Sequence, residues 1–397
     1  MARIYKKKTK TGFSWGYVVY AGTDPITNKE KRHYKQGFKT QKDAKLAAAL
    51  AERQLNQDDF IQPSRISFQE LSTDWEKHYL AQKAKESSLR ARKIALKHMI
   101  AHFENVPIQK INKKAYQDAI DKLAASFSEN YISSIHSSAH MVFEYAVELK
   151  LLKENPAKKA KLPKRKVTLE ELENRNSIEE KYMEKAELEE FLTATKEHGL
   201  DGDLLTFTLL SYSGLRIGEL LALKWSEMDF QQQTLNIIRT YYNPTNNKKG
   251  FKLQTPKTKS SIRLITIDTL LIDLLKRHKE EQNKMKKQNA PFYQDQGFIF
   301  ATNEGYPKTI KHMAIRMQRL LKKTTIQKHL TLHSFRHTHT SLLAQAEVSL
   351  PEIMERLGHD DENTTKKIYL HVTKEMKKEA STKFSNLMKD LSENLHD

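Results

Sequence analysis

The sequence predicts a mixed, mainly helical chain of several domains. They are a small N-terminal sheet-plus-helix domain, a helical domain, and a larger α+β domain with a small antiparallel sheet. Three observations predict this. The chain has 397 residues, enough for several domains at roughly 100–200 residues each. It contains only 12 Gly and 10 Pro, which suits long helices and few loops. The apolar period also changes along the chain, from two residues to about 3.6 and, between about residues 234 and 266, briefly back to two.

Residues 1–60 form the first domain. Phe13, Trp15, Tyr17 and Val19 alternate with Ser14, Gly16, Val18 and Tyr20, a strand pattern whose aromatic side reads as the core face. The turn-forming segment AGTDPITNKE follows, rich in Gly, Pro, Asp and Asn. Lys31–Phe38 reads as a second, basic strand, and the Ala-rich stretch Gln41–Gln54 as a helix.

Residues 66–152 form the helical domain. Ser67 ahead of Phe68, Leu71, Trp75, Tyr79 and Leu80 is an N-cap followed by helical spacing. Further helices are expected over Ser88–Phe103, Lys113–Ser126 and Ser128–Leu149. Lys83, Lys85, Arg90, Arg92, Lys93 and Lys97 give this domain a basic face. Residues 153–180 read as a basic linker, since seven of the 14 residues in Lys153–Lys166 are Lys or Arg and two are Pro.

Residues 181–397 form the last domain. Helices are expected at Ala186–Lys196 and Asp203–Tyr212, strands at Thr234–Tyr242, Phe251–Thr255 and Ile262–Thr266, and mainly helix from Leu270 onward. Beyond position 369, Val372, Met376, Ala380, Phe384, Leu387, Met388 and Leu391 have the spacing of an amphipathic helix.

Composition excludes several classes. Without cysteine there is no disulfide framework, thiolate metal site or cysteine nucleophile. The N-terminus MARIYKKKTKTG is charged and lacks the apolar core of a signal peptide. The longest apolar stretches, such as Leu204–Leu210, fall far short of the ~20 residues that span a bilayer. There is no phosphate-binding GxxxxGK[ST] and no GxGxxG, so no nucleotide cofactor is expected. The formal net charge is +19, a field that recruits polyanions, nucleic acid first.

Four segments of the last domain carry the candidate chemistry. They are Ser213-Gly214-Leu215-Arg216-Ile217-Gly218-Glu219-Leu220, Thr255-Pro256-Lys257-Thr258-Lys259-Ser260, His333-Ser334-Phe335-Arg336-His337-Thr338, and Leu357-Gly358-His359 with Tyr369 ten residues further on. In that order they resemble the tyrosine recombinase (phage integrase) family, in particular integrases of temperate phages and integrative elements of Gram-positive bacteria. The resemblance implies a catalytic set of Arg216, Lys257, His333, Arg336, His359 and Tyr369. It also implies that residues 1–60 bind arm sites, that 66–152 bind core sites, and that 181–397 form the catalytic domain.

The residue types suit the reaction. Cleavage of a phosphodiester passes through a pentacoordinate phosphorane with more charge on its equatorial oxygens. Arg216 and Arg336, permanently charged and bidentate, suit those oxygens, so no metal or other cofactor is expected. Tyr369 is the nucleophile that the resemblance implies, giving a 3′-phosphotyrosine and a free 5′-hydroxyl. Neighbouring guanidiniums favour its phenolate. Lys257, at the tip of a predicted strand–turn–strand hairpin of Phe251–Thr255 and Ile262–Thr266, resembles the family's general acid for the leaving 5′-oxygen; Lys252 and Lys259 lie close by, and the Pro-Lys-Thr setting favours Lys257. His333 would exchange a proton with the tyrosine or bond the phosphate, and His359 would donate to a non-bridging oxygen. Glu219, one helical turn beyond Arg216, would orient its neighbours. His333 and His337 are spaced as a zinc pair, but Ser334 stands where the metalloprotease motif needs Glu. His337 and His339 are expected as packed, hydrogen-bonded neighbours.

The expected partner is double-stranded DNA at core and arm sites. The resemblance implies a homotetramer on DNA, an excision factor, a host DNA-bending protein, no membrane, and work in the bacterial cytoplasm at the nucleoid. The alternatives are a type IB topoisomerase-like relaxing enzyme and a non-catalytic DNA-binding regulator.

Overall fold

The computed structural model describes residues 2–9, 12–23, 30–56, 61, 64–164, 178–256, 258–358 and 363–387. Two compact units separate, Met1–Lys166 and Val167–Asp397. Among the described residues no helix is long and apolar enough to cross a membrane.

The first unit opens with an antiparallel sheet of β1 (Arg3–Thr9), β2 (Gly12–Thr23) and β3 (Glu30–Phe38), in that spatial order. Helix α1 (Gln41–Asn56) covers it, and Tyr17 and Val19 bury against Ala48 and Ala51. The aromatic side of β2 is only partly the core face. Phe13 is exposed, with the Lys6 ammonium 4.2 Å from its ring centroid. The β2–β3 register also shifts between Trp15 and Gly16, where Gly37 at φ 100° makes β3 bulge. Strand β1 has no alternation to announce it; its lysine run is strand because β2 pairs with it.

Four helices follow: α2 (Phe68–Ala81), α3 (Glu86–Phe103), α4 (Lys113–Ala124) and α5 (Glu129–Glu148). The Ser67 hydroxyl accepts from Glu70 N at 3.2 Å, and the Glu70 carboxylate accepts from Ser67 N at 2.8 Å. This reciprocal cap starts α2. Phe68, Met99, Tyr116 and Phe143 meet in the core. The expected linker begins as part of this domain. Ala157 is fully buried, Ala160 and Leu162 pack on the same core, and the Asn155 amide donates to His140 O at 3.1 Å and to the Glu144 carboxylate at 2.9 Å. The basic composition hides these spaced apolar side chains. Residues 165–177 of the expected linker lie outside the described residues.

The second unit contains α6 (Lys185–His198), α7 (Asp203–Ser213), α8 (Ile217–Ala222), α9 (Thr269–Gln288), α10 (Ile310–Leu321), α11 (Ser334–Gln345), α12 (Leu350–Leu357) and α13 (Asn363–Leu387). Its strands are β4 (Met228–Asp229), β5 (Thr234–Ile237), β6 (Thr240–Tyr242), β7 (Lys252–Gln254) and β8 (Arg263–Thr266). Helix α7 is buried almost all round. Buried hydroxyls on it are satisfied by the backbone one turn earlier, Thr206 donating to Gly202 O at 2.6 Å and Ser211 to Phe207 O at 2.7 Å. Its Phe207 packs ring to ring with Phe191 and Phe335, with centroids 5.4–5.5 Å apart. A second, smaller core of Tyr182, Ala344, Ile353, Leu357, Ile368 and Val372 joins α11, α12 and α13.

Two strand expectations need correction. Thr234–Tyr242 is two strands rather than one, because the ladder breaks at Ile238–Arg239, where Arg239 pairs with Glu227 at 2.9 Å, and the two halves take different partners. Strands β7 and β8 do not form a hairpin either. β7 pairs with β6, whereas β8 pairs with β5 in the sheet β4-β5-β8.

Candidate active site

Gly214, at φ 63°, ends α7 and turns the chain toward Arg216. A Cβ here would lie 2.6 Å from both His339 Cδ2 and Leu357 Cδ2, so glycine permits the turn and the close packing together. Arg216 is the N-cap of α8 in extended backbone. The Glu219 carboxylate accepts from Arg216 N at 3.1 Å and from its Nη1 at 3.0 Å. It also accepts from Arg263 Nη2 at 3.0 Å. Glu219 is only 2% exposed. Burial works against its ionisation, but Arg263 above all, then Arg336 and Arg216, outweigh it and hold the carboxyl below its usual range.

Arg336, in the first turn of α11, is 1% exposed. Its Nη1 donates to Gly214 O and its Nη2 to Leu357 O, both at 2.7 Å. One planar fork thus closes on the C-terminal ends of two helices, α7 and α12. Carbonyls at helix C-termini carry partial negative charge, which makes them a good seat for a buried guanidinium. Gly214 therefore links the arginines: its carbonyl holds Arg336 and Arg216 follows two residues later.

His333 precedes α11 and is exposed. Its ring stands perpendicular to that of His337, with centroids 4.6 Å apart. Tyr369 lies on α13, half-buried against the smaller core that includes Leu357. Lys257 and His359 lie outside the described residues, but their neighbours meet. The Ser261 hydroxyl donates to Gly358 O at 3.3 Å, and a Cβ on Gly358, which has φ 69°, would come within 2.8 Å of Ser260 O. The segment after Lys257 thus abuts the residue before His359, and it runs between the two small sheets rather than over a hairpin tip.

Sequence reasoning missed Arg263 and Arg356. Arg263 is in phase with buried Ile265 on β8, while apolar Leu264 points to solvent. An arginine on the buried side of an alternating strand was the available signal. Arg356 carried none. His339 is buried and hydrogen-bonded as expected: Nδ1–H donates to Ser211 O at 2.9 Å and Nε2 accepts from Arg356 Nε at 3.1 Å. Burial first, then the Arg356 charge, pushes its pKa down to about 3.

The chain matches the phage integrase family over residues 181–376, an arm DNA-binding domain over 4–55 and the N-terminal SAM-like domain of phage integrases over 67–124. It is 32% identical to the prophage ps2 probable integrase of Lactococcus lactis, over 89% of this chain and 92% of that protein. The chain belongs to the phage integrase family. It is a site-specific tyrosine recombinase, which breaks and rejoins DNA; the relaxing-enzyme and non-catalytic alternatives are not favoured. The ICEBs1 integrase of Bacillus subtilis is 27% identical, over 96% of this chain and 99% of that one. Among solved structures, the Tn1549 transposon integrase in complex with transposon right end DNA shares the fold at TM-score 0.62 and 19% identity, covering 79% of this integrase and 100% of that chain. A lambda integrase tetramer bound to a Holliday junction does so at TM-score 0.54 and 16% identity, covering 92% and 94%.

Proposed function

We propose that Arg216, Lys257, His333, Arg336, His359 and Tyr369 act as one set on a single scissile phosphate. The observation that carries this reading is the Arg336 fork, buried beneath Gly214 and Leu357 carbonyls and joined through Gly214 to the segment bearing Arg216. Tyr369 Oη attacks phosphorus, and its proton passes to His333. The P–O5′ bond breaks, and Lys257 supplies the proton that the 5′-oxygen takes. Arg216, Arg336 and His359 hold the non-bridging oxygens as charge builds on them. The 3′-phosphotyrosine keeps the bond energy, so a 5′-hydroxyl from a partner duplex reverses the step without a nucleotide cofactor.

In this reading residues 1–60 bind arm sites and 66–152 core sites of duplex DNA, while 181–397 do the chemistry in the bacterial cytoplasm, at the nucleoid. Four protomers hold two duplexes, integrate a mobile element, and excise it with help from an excision factor and a host bending protein. The match of residues 4–55 to an arm DNA-binding domain supports the first assignment, and the lambda integrase tetramer on a Holliday junction supports the stoichiometry by likeness.

The test is Tyr369→Phe on a nicked core-site duplex that traps the covalent intermediate. Wild-type protein should give a detergent-stable adduct, and the variant should bind equally well and give none. An adduct of undiminished yield from the variant would sink the assignment.

A further inference from the structure

We infer that Arg263, Arg356 and His339 form a positioning strut that sets the spacing between Arg216 and Arg336. The inference rests on the catalytic reading above. The strut can be followed bond by bond. Arg216 is bonded to Glu219, and Glu219 to Arg263 Nη2. Arg263 Nε donates to Arg356 O at 2.7 Å. The Arg356 side chain then divides: Nη2 donates to Tyr212 O at 3.3 Å and to Thr266 O at 3.1 Å, and Nε donates to His339 Nε2. The His339 Nδ1–H closes on Ser211 O.

These bonds fall on the two segments that seat Arg336. Ser211 and Tyr212 lie just before Gly214, and Arg356 just before Leu357. Moving Arg356 off His339 would part the ends of α7 and α12 and shift both carbonyls that orient the Arg336 fork. The imidazole suits this place because it donates at one nitrogen and accepts at the other. The guanidinium suits it because it donates in three directions. None of the three side chains needs to touch DNA.

The test uses the full chain with two single variants and their double. His339→Asn can retain a donor toward Ser211 O and removes the acceptor for Arg356. Arg356→Lys retains the charge and removes the fork. Each should slow single-turnover adduct formation by about 100-fold, the scale of an ångström-sized misplacement, with core-site Kd within about threefold of wild type. The double variant should be no slower than the worse single, since the two act as one unit.

A second readout separates positioning from general weakening. A methylphosphonate at the scissile position has one charged oxygen replaced by methyl, which lessens the demand on the arginines. The rate deficits of both variants should shrink on it by about tenfold or more. Equal deficits on phosphate and methylphosphonate, or multiplying deficits in the double variant, would overturn the strut. If the wild-type protein forms no Tyr369 adduct at all, the catalytic reading has failed instead.

Discussion

Replacing Glu219 with Gln should destabilise the second unit in a pH-dependent way. The carboxylate binds Arg263 and Arg216 side chains at 3.0 Å each, and it caps Arg216 N. A hydrogen bond to a charged group contributes about 1.5–3 kcal/mol, and breaking a buried ion pair costs about 3–5 kcal/mol. Glutamine keeps one acceptor oxygen for one guanidinium but turns an N–H toward the other, so the low end, about 3 kcal/mol, is expected. For a unit of this size that lowers Tm by about 6–12 °C. The sign with pH follows from the depressed carboxyl pKa. Its stabilisation is complete above the unfolded value of about 4.3 and is lost as pH falls through the lower folded value. The gap between wild type and Glu219→Gln should therefore be flat above about pH 5 and narrow below it. The three tryptophans provide the assay: in 5-fluorotryptophan-labelled protein, Trp225 reports the second unit alone. A gap under about 1 kcal/mol at pH 7, or one that widens on acidification, would refute the reasoning.

Other outcomes follow from the same geometry. Gly214→Ala puts a methyl 2.6 Å from His339 and Leu357 atoms at φ 63°; we expect adduct formation on the trapping duplex to fall at least about tenfold through movement of the Arg336 acceptor, with core-site binding retained. Phe335→Ala removes the ring shared by Phe191 and Phe207 and should cost about 3–5 kcal/mol in urea unfolding monitored at Trp225. Ser67→Ala removes the cap of α2 and should cost about 1 kcal/mol, seen at the Trp75 resonance and absent from Trp225.

The helices were legible because their signals are local. Ser67 with Glu70, and Ser128 ahead of α5, announce their own starts. The family was legible as well, because the segments that carry the resemblance, Gly214-Leu215-Arg216 and His333-x-x-Arg336 among them, are short and contiguous. Pairing was not. A strand carries no record of its partner, so β7 and β8 looked like a hairpin and proved to belong to different sheets. Arg263 looked like one more charge in a basic chain, yet its side chain is nearly all used by Glu219, Ser261 O and Arg356 O. Those partners lie up to 93 residues away, beyond any local pattern. The linker erred for the opposite reason: seven positive charges outweighed in composition the few apolar side chains that fasten it.

Tyr369 sits inside a continuous helix, Asn363–Leu387, with Ile368 and Val372 buried on either side of it in sequence. A residue on a loop can swing forward alone, whereas one embedded in a rigid rod travels with the rod. In the catalytic reading proposed above, the reach of the Tyr369 phenol toward a phosphate is therefore set by how the whole helix is seated on its small core, not by the phenol alone.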